Sequence, residues 1–565
     1  MNNKKNNQYE NTKFLEQPNY LLALLFIINL VAKHFFFYSI PHANTLITLA
    51  LIYFAFQRIY IIIKTQADIF YLKRISLDLV AIAVVIIFNR FLIIFQLYII
   101  VRQFILLLDR LFSTKHAISF FTRFRHHPAK VILSSFALII LLGTTFLALP
   151  ISSSDGNSIG ILDAFFTSTS ATCVTGLIVL DTGTAFSFFG KFVIMMLIQI
   201  GGLGIMTFST ALIMFFGKTI SIGGKSLMKG VLDENIQKNL NTLLEGIVIT
   251  TIIFEIIGAV LLFLKFNSVF SSTRTAVWHA VFHSISSFCN AGFCFYPDSF
   301  SAYSSDLIIN MTVMMLIIFG GIGFSVLMDM KYNLIQKRRH FRFLSLHSKV
   351  VIITTLILIF GGTFLIFILD YHNQFTNMPL SEGFLASLFQ SVTTRTAGFN
   401  TIDISQVNYA TALLMIVLMF IGASPGSTGG GIKTTTFAVM IFSVLSIIRG
   451  RDDVEVYKRK ISKKITRKVI ALIAISVTIL VSLILVLCVS EKGTDFIKIA
   501  FEAVSAFGTV GLSMGITPSL TSIGKIAIII LMYLGRVGPL TLAFALGEKK
   551  LKSDYHYPEG NIGIG

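Results

Sequence analysis

Long apolar segments alternate with short polar ones along most of the chain. Many reach about 20 residues, the length that a helix needs to cross roughly 30 Å of hydrocarbon. Four come first, at residues 20–40, 45–63, 75–88 and 91–112, of which the third is short. From residue 131 onward, full-length segments alternate with apolar segments that are too short to span a bilayer. The pattern predicts an all-α polytopic membrane protein in which some short helices enter the membrane and turn back.

The segments after residue 130 repeat. Each unit has a full-length apolar segment, a short apolar helix, a hairpin of irregular backbone, and a returning full-length segment with paired glycines. The short helix of the fourth unit is predicted at 496–506, and only the third returning segment is predicted to be interrupted, whereas those at 307–328 and 523–546 are predicted to be continuous. We therefore predict four pseudo-repeats of helix, re-entrant pore helix with filter loop, and helix around one pore, preceded by about four extra transmembrane helices. The first to fourth hairpins are named here by their glycines, Gly176, Gly292, Gly398 and Gly511.

These repeats predict the organisation of the chain. The predicted divisions are a cytoplasmic tail (1–19), N-terminal extra transmembrane helices with a basic linker (20–130), pore repeat 1 (131–240), pore repeat 2 (241–348), pore repeat 3 with an intramembrane gating loop (349–465), and pore repeat 4 with the C-terminal tail (466–565).

Charge fixes the expected orientation. The chain has 46 Lys and Arg against 27 Asp and Glu, a formal net charge of +19. The basic residues lie in short loops, such as 64–74, 115–130 and 449–468, which is typical of cytoplasmic loops rather than of a nucleic-acid surface. Acidic residues flank the hairpins. We expect a cell-membrane protein in contact with lipid, with both termini cytoplasmic, hairpins open to the outside, and no nucleic-acid partner.

The hairpins are the candidate ion site. Irregular backbone at membrane depth persists only where it is buried in protein or lines water, and its carbonyls can then replace the hydration shell of a cation. Glycine reaches backbone conformations that are closed to residues with a Cβ. The alternative is that these are packing glycines. The expected filter residues are Thr175, Gly176, Asn290, Ala291, Gly292, Thr396, Ala397, Gly398, Thr509, Val510 and Gly511, with K⁺ on the backbone carbonyls of the four glycines.

Residues 131–565 resemble the Trk/Ktr/HKT superfamily of potassium transporters, in particular the membrane subunit of Ktr-type systems. The resemblance lies in the four hairpins, the stretch 395–399, the split third returning helix and the ending at 557–565. It implies uptake of an ion through a channel-like pore rather than an enzymatic activity. The implied ion is potassium, because glycine in all four filter positions accompanies potassium selectivity in that superfamily. Sodium or mixed sodium/potassium transport by the same pore is the alternative.

The resemblance also implies partners. These are a second copy of the chain in a homodimer, with one pore per chain, and a separate cytosolic nucleotide-binding regulatory ring of the RCK/Trk-A type. No covalently bound cofactor is expected. Potassium is the expected transported ion, and sodium is a candidate coupling or activating ion.

The third returning segment is interrupted by an insert, residues 423–430. Its proline and glycines cannot continue a lipid-facing helix, so the backbone must border a cavity. A phosphate-binding loop is excluded because no Gly-Lys-Ser/Thr is present. The resemblance implies a gating loop beneath the filter with Arg536 as its partner, and a glycine hinge without gating is the alternative. The expected gate residues are Gly422, Ala423, Ser424, Pro425, Gly426, Ser427, Thr428, Gly429, Gly430, Gly431, Lys433 and Arg536.

Two charged residues lie beside the expected filter. Arg395 precedes the third hairpin and Glu502 lies in the fourth short helix. Charges at this depth are costly unless paired, so we predict a contact between Arg395 and Glu502, or with another pore acid, that supports the filter. A direct ion ligand is the alternative role for Glu502.

Two further features suggest other chemistry. His279 and His283 are one helical turn apart and form a candidate metal pair, but no third ligand is evident, which favours packing or filter support. The first four apolar segments suggest a voltage sensor, with Asp78, Arg90, Arg102 and Arg110 as its charges. Closely spaced arginines are missing, so packing, assembly or partner docking is favoured.

Overall fold

The computed structural model describes residues 128–216, 240–336, 340–376 and 378–539, together with Thr541 and a few isolated positions before residue 58. The predicted N-terminal spans at 20–112 and the ending at 557–565 lie outside the described residues. The chain divides into two compact units. One comprises Met1–Phe124 and Leu149–Ser158, and the other comprises Arg125–Ala148 and Ile159–Gly565, which contains every element discussed below.

The larger unit is helical. Its elements follow one another in the order long helix, short helix, returning helix. The first two sets are α1 (Pro128–Leu147), α2 (Ile161–Thr172) and α3 (Phe188–Phe216), then α4 (Leu240–Val269), α5 (Thr273–Phe288), α6 (Leu307–Ile322) and α7 (Phe324–Met330), which continues into a π-helical turn, Lys331–Gln336.

The second half of the unit has the same order, with one additional element. This is a small antiparallel two-stranded ribbon between the third and fourth sets. The elements are α8 (Leu346–Asp370), α9 (Leu380–Thr393), α10 (Tyr409–Phe420), α11 (Thr434–Ile448), β1 (Glu455–Val456), β2 (Arg459–Lys460), α12 (Lys463–Ser490), α13 (Phe496–Gly508) and α14 (Ser522–Val537).

Several helices have the dimensions of membrane spans. Within the described residues, Glu245–Val269, Leu346–Asp370 and Lys463–Ser490 are long and apolar enough to cross a bilayer. The pair α6 and α7 meets the same criterion when taken together, although the two helices are bent by 98°.

Each returning helix begins at a polar cap. Ser187, Asp306, Asn408 and Thr521 accept a hydrogen bond from the backbone N–H three residues later, at 2.7–3.2 Å. Such a side chain satisfies one of the N–H groups that a helix start leaves without a partner. The sequence therefore sets where the chain turns back into the apolar layer.

The short helices pack through serine against glycine. Ser168, Ser284 and Ser391 each donate to a carbonyl of the preceding long helix at 2.7 Å. In each case the long helix has a glycine three residues after that carbonyl, and a Cβ on it would overlap the serine Oγ. Small residues allow such close approach of helices in membranes. In the fourth set Ala503 occupies the equivalent position.

Two returning helices are broken where the sequence predicted continuous segments at 307–328 and 523–546. The break after α6 falls at Gly323, with φ 97°, and α14 ends before Gly538, with φ 89°. These φ values are incompatible with a right-handed helix. The prediction that only the third returning helix is interrupted was therefore wrong. The last glycine of the Gly-Gly-x-Gly and Gly-Arg-Val-Gly motifs was the missed signal.

Candidate functional site

The four hairpins share one backbone geometry. Each glycine has positive φ, between 70° and 93°, and so does the residue two positions before it, at 51° to 78°. Three of those preceding residues are β-branched, and for such side chains a left-handed φ is an outlier that the surroundings must hold in place. The preceding residues are Val174, Asn290, Thr396 and Thr509.

The hairpins follow one another around a closed ring. A Cβ on Gly176 would lie 2.5 Å from the Ala291 carbonyl oxygen, and one on Gly292 would lie 2.7 Å from the Ala397 carbonyl oxygen. In the same way, a Cβ on Gly398 would overlap the Val510 carbonyl, and one on Gly511 would overlap the Thr175 carbonyl. Each hairpin therefore lies against the next, and the fourth lies against the first. Side chains at these glycines would fill the space between neighbouring hairpins.

The structure brings together all the residues that the sequence predicted for the filter. They are buried, except for the half-buried Gly292 and Gly511. It adds Val174, whose φ of 57° makes it the counterpart of Asn290, Thr396 and Thr509. Val174 was missed because the prediction for the first hairpin extended only to Thr175 and Gly176. Alignment on the hairpin glycines could have found it, since it lies two positions before Gly176 as Thr509 lies before Gly511.

Serines fix the first and fourth hairpins to their own short helices. The amide of Gly176 donates to Ser170 Oγ, and that of Gly511 donates to Ser505 Oγ, each at 3.1 Å. The residue before each glycine donates to the carbonyl of the same serine at 2.8 Å. These bonds satisfy backbone amides that would otherwise be buried without a partner.

An ion pair closes the ring between the fourth and first sets. Lys525 Nζ of α14 lies 2.6 Å from Asp163 Oδ1 in the first turn of α2. The pair joins residues 362 positions apart. Neither residue was predicted as a site residue, because nothing local in the sequence marks them as partners.

The insert lies between the second and fourth sets. The residues on either side of it, Ile421 and Ile432, pair in a β-bridge. On one side, Ser424 N–H donates to the Gly321 carbonyl at 3.0 Å, and Phe324 N–H donates to the Gly426 carbonyl at 2.9 Å. The break at Gly323 thus accommodates the insert, because a Cβ there would lie 2.6 Å from the Pro425 carbonyl oxygen.

Arg536 joins the insert to the first set from the opposite side. Its guanidinium donates to the Thr428 carbonyl and to the Gly201 carbonyl, and lies 3.4 Å from the Gly202 carbonyl oxygen. The side chain is 3% exposed. A buried cation is tolerable here because carbonyl dipoles face it, and the planar fork of arginine reaches several of them at once.

A second basic side chain, that of Lys433, lies shortly after the insert. Lys433 Nζ donates to the Gly429 carbonyl at 2.7 Å. Arg536 and Lys433 therefore both hydrogen-bond carbonyls of the insert, at residues 428 and 429.

Arg395 and Glu502 do not form the predicted contact, and that prediction was wrong. Glu502 Oε2 accepts from Ser513 Oγ at 2.7 Å, and its other oxygen accepts from Thr517 Oγ1. Hydroxyls of its own set therefore satisfy the carboxylate. Arg395 is 5% exposed, and in the described part of the chain its Nε and Nη2 have no hydrogen-bond partner.

Glu502 and His283 occupy equivalent positions, nine residues before their hairpin glycines. His283 Nε2 accepts from the Phe295 amide at 3.2 Å, and its Nδ1 lies 2.7 Å from the His279 carbonyl. These two partners require the neutral tautomer with its proton on Nδ1. Both side chains thus attach the segment after a hairpin to the preceding short helix.

The histidine pair does not form a metal site. Both ring nitrogens of His283 have partners, and His279 Nδ1 lies 3.1 Å from the Tyr296 hydroxyl. Within the described residues, no three His, Cys, Asp or Glu side chains come close enough to hold a metal ion. Packing beside the second hairpin is the role that these contacts support.

Removing the Glu502 carboxylate should destabilise the fourth set. In Glu502→Ala the hydroxyls of Ser513 and Thr517 lose their acceptor, which we expect to cost about 2 kcal/mol in the free energy of unfolding. Glu502→Gln keeps one acceptor oxygen and should cost about half as much. Thermal unfolding of the purified protein measures both variants.

The control is a double substitution. Thr517→Val should cost less in the Glu502→Ala background than alone, because its bond to Glu502 is already absent and only its contact with Ser513 Oγ at 3.0 Å is left to lose. If the two substitutions act additively, Glu502 does not hold the segment through Thr517.

Most of the chain matches known proteins in sequence. The sequence model of the family described as "TrkH: Cation transport protein" matches residues 101–554. The Ktr system potassium uptake protein B of Bacillus subtilis (strain 168) is 40% identical over 443 residues, which is 78% of this chain and 97% of that protein. The potassium/sodium uptake protein NtpJ of Enterococcus hirae is 38% identical over 451 residues, covering 78% of this chain and 98% of that protein.

A solved structure has a similar fold. The crystal structure of the potassium transporter TrkH from Vibrio parahaemolyticus superposes with a TM-score of 0.58 at 19% identity. The superposition covers 74% of this chain and 85% of that one.

Proposed function

Because the chain belongs to the TrkH family of cation transport proteins, we propose that it takes up potassium ions across the cell membrane through a pore lined by the four hairpins. The protein is a membrane transporter and not an enzyme. The observation that carries the proposal is the closed ring of hairpins with left-handed glycines at equivalent positions.

The proposed filter works through backbone carbonyls. Potassium leaves most of its hydration shell on entry, and a ring of carbonyl oxygens replaces it. Four segments that lie against one another supply oxygens from all sides, and the absence of Cβ atoms keeps the passage free. The hydrogen bonds that the hairpin amides donate to Ser170 and Ser505 support this role, because they hold two of the segments to rigid helices.

The proposed gate is the insert. It connects the second, third and fourth sets through backbone bonds and through Arg536, which also reaches the first set. Arg536 and Lys433 add positive charge next to it, which raises the electrostatic barrier for a cation. Opening the pore then requires the insert to break these hydrogen bonds. A glycine hinge without a gating role would need none of them.

The proposal also includes the partners of the chain and its orientation in the membrane. The relative from Bacillus subtilis is named as a protein of a Ktr system, which supports a regulatory partner. We propose a homodimer with one pore per chain, a cytosolic nucleotide-binding ring of the RCK/Trk-A type docked on the basic loops, and cytoplasmic termini. Lys458 to Lys468, with β2 and the start of α12, offers one such basic surface.

Sodium or mixed transport is the second candidate. It is favoured by one relative, NtpJ, which is named a potassium/sodium uptake protein. In that case sodium would pass through the same ring or act as a coupling or activating ion.

Ion flux through the purified protein tests these proposals. In liposomes, we expect potassium flux to exceed sodium flux by at least about tenfold, a discrimination of about 1.4 kcal/mol. Equal fluxes would favour the mixed transporter, and no flux of either ion through folded protein would contradict the pore. Glu502→Gln should leave the apparent affinity for potassium unchanged, whereas a Glu502 that binds the ion directly would make it weaker.

A further inference from the structure

A threonine of the fourth hairpin contacts the insert directly. Gly430 N–H donates to Thr509 Oγ1 at 3.0 Å, and both residues are buried. The approach is close, because a Cβ on Gly430 would lie 2.5 Å from Oγ1 and 2.9 Å from Cγ2 of Thr509. Glycine at position 430 is therefore needed for this bond to form.

Thr509 is held in an unfavourable conformation. It ends α13 with φ 51° and ψ 50°, the left-handed region that β-branched residues rarely adopt. A residue persists there only when its surroundings determine it, and such residues concentrate at functional sites. The conformation places the hydroxyl of a filter residue against the backbone of the insert.

The three equivalent residues do not make this bond. Val174 has no hydroxyl, and the Thr396 hydroxyl lies 3.3 Å from the side-chain amide of Asn290. Asn290 contacts the insert through a side chain instead, since its Oδ1 lies 3.4 Å from the Thr428 hydroxyl. Among the described residues, no hydrogen bond joins the side chain of Thr396 to the backbone of the insert. The fourth hairpin therefore differs from its neighbours in the same ring.

The geometry points to Thr509 as the anchor that holds the insert closed against the filter, so that its hydroxyl serves the gate as well as the ion path. This inference rests on the proposed function of the insert as a gate. A hydroxyl oxygen accepts the Gly430 amide proton in the closed state, and release of the insert breaks that bond. The fourth hairpin then acts on gating through one side-chain atom.

Potassium flux in liposomes, compared with and without the insert, tests the anchor. Thr509→Val removes the acceptor and should raise the flux about threefold to tenfold when the insert is intact. The same substitution should give no increase in a chain lacking residues 427–430. Thr411→Val is the control, because it removes a buried hydroxyl of the third set that has no hydrogen-bond partner in the described part of the chain, and its effect should be equal in both backgrounds.

A measurement that does not depend on transport accompanies the flux. Hydrogen exchange at the Gly430 amide should be faster in Thr509→Val than in the unsubstituted full chain, and unchanged in Thr509→Ser, which keeps the hydroxyl. Equal exchange in all three proteins, or an equal effect of Thr509→Val on flux with and without the insert, would overturn the anchor. Failure of the proposed function looks different, because the unsubstituted protein would then carry no potassium flux or the deletion would leave its flux unchanged.

Discussion

Replacing Gly176 with serine should lower the ratio of potassium to sodium flux by about tenfold or more, which corresponds to about 1.4 kcal/mol of lost discrimination. Gly176 has φ 93°, and a Cβ there would lie 2.5 Å from the Ala291 carbonyl oxygen. Either the backbone of the first hairpin or the neighbouring carbonyl must move. Both changes alter the ring that is proposed to replace the hydration shell of potassium, so selectivity should suffer more than total flux.

The matched control is Gly361→Ser. Gly361 lies on an exposed face of α8, and a Cβ there would meet no atom within 4 Å. The control should keep the flux ratio of the unsubstituted protein in the same liposome assay. An unchanged ratio in folded Gly176→Ser protein would mean that the first hairpin does not contribute to selection.

Deleting residues 427–430 should raise potassium flux by at least about tenfold. The deletion removes the carbonyl that Arg536 binds, the Gly430 amide that binds Thr509, and the Thr428 amide that donates to Gly320. Each bond contributes about 1 kcal/mol or more to holding the insert, so losing three together shifts the equilibrium strongly away from the closed state. Flux into liposomes measures the change.

Ser427→Ala is the control for the deletion. The Ser427 hydroxyl donates to the Ser424 carbonyl at 2.6 Å, a bond internal to the insert, so its loss should change the flux by less than about twofold. Arg536→Ala should give part of the effect of the deletion, because it removes only one of the three attachments. Unchanged or lower flux through the folded deletion protein would favour a glycine hinge without a gating role.

The positions of short helices and hairpin glycines were accessible from sequence because both are local properties. The segment predicted at 496–506 lies within α13, and the glycine predicted for its hairpin has φ 93°. Segment length limits what can span a bilayer, and only glycine adopts such backbone angles without strain. The breaks at Gly323 and Gly538 were missed because a glycine in an apolar run does not by itself end a helix.

The contacts of the charged residues were not accessible in the same way. Glu502 was assigned to Arg395 because both lie near the filter, yet its partners are the hydroxyls of Ser513 and Thr517. Either arrangement satisfies a buried carboxylate, and the sequence contains no information that selects one. For Arg536 the expected neighbour was correct, since its side chain lies against the insert as the resemblance implied.

The sequence by itself determined that the chain crosses a membrane repeatedly, where its short helices lie, and which glycines can turn left-handed. Tertiary structure alone decided the cyclic order of the hairpins, the ion pair of Lys525 with Asp163, and the bond between Thr509 and Gly430. The physical reason is separation along the chain. Apolar length and glycine φ act within one segment, whereas these contacts join residues 79 to 362 positions apart and depend on how the segments pack.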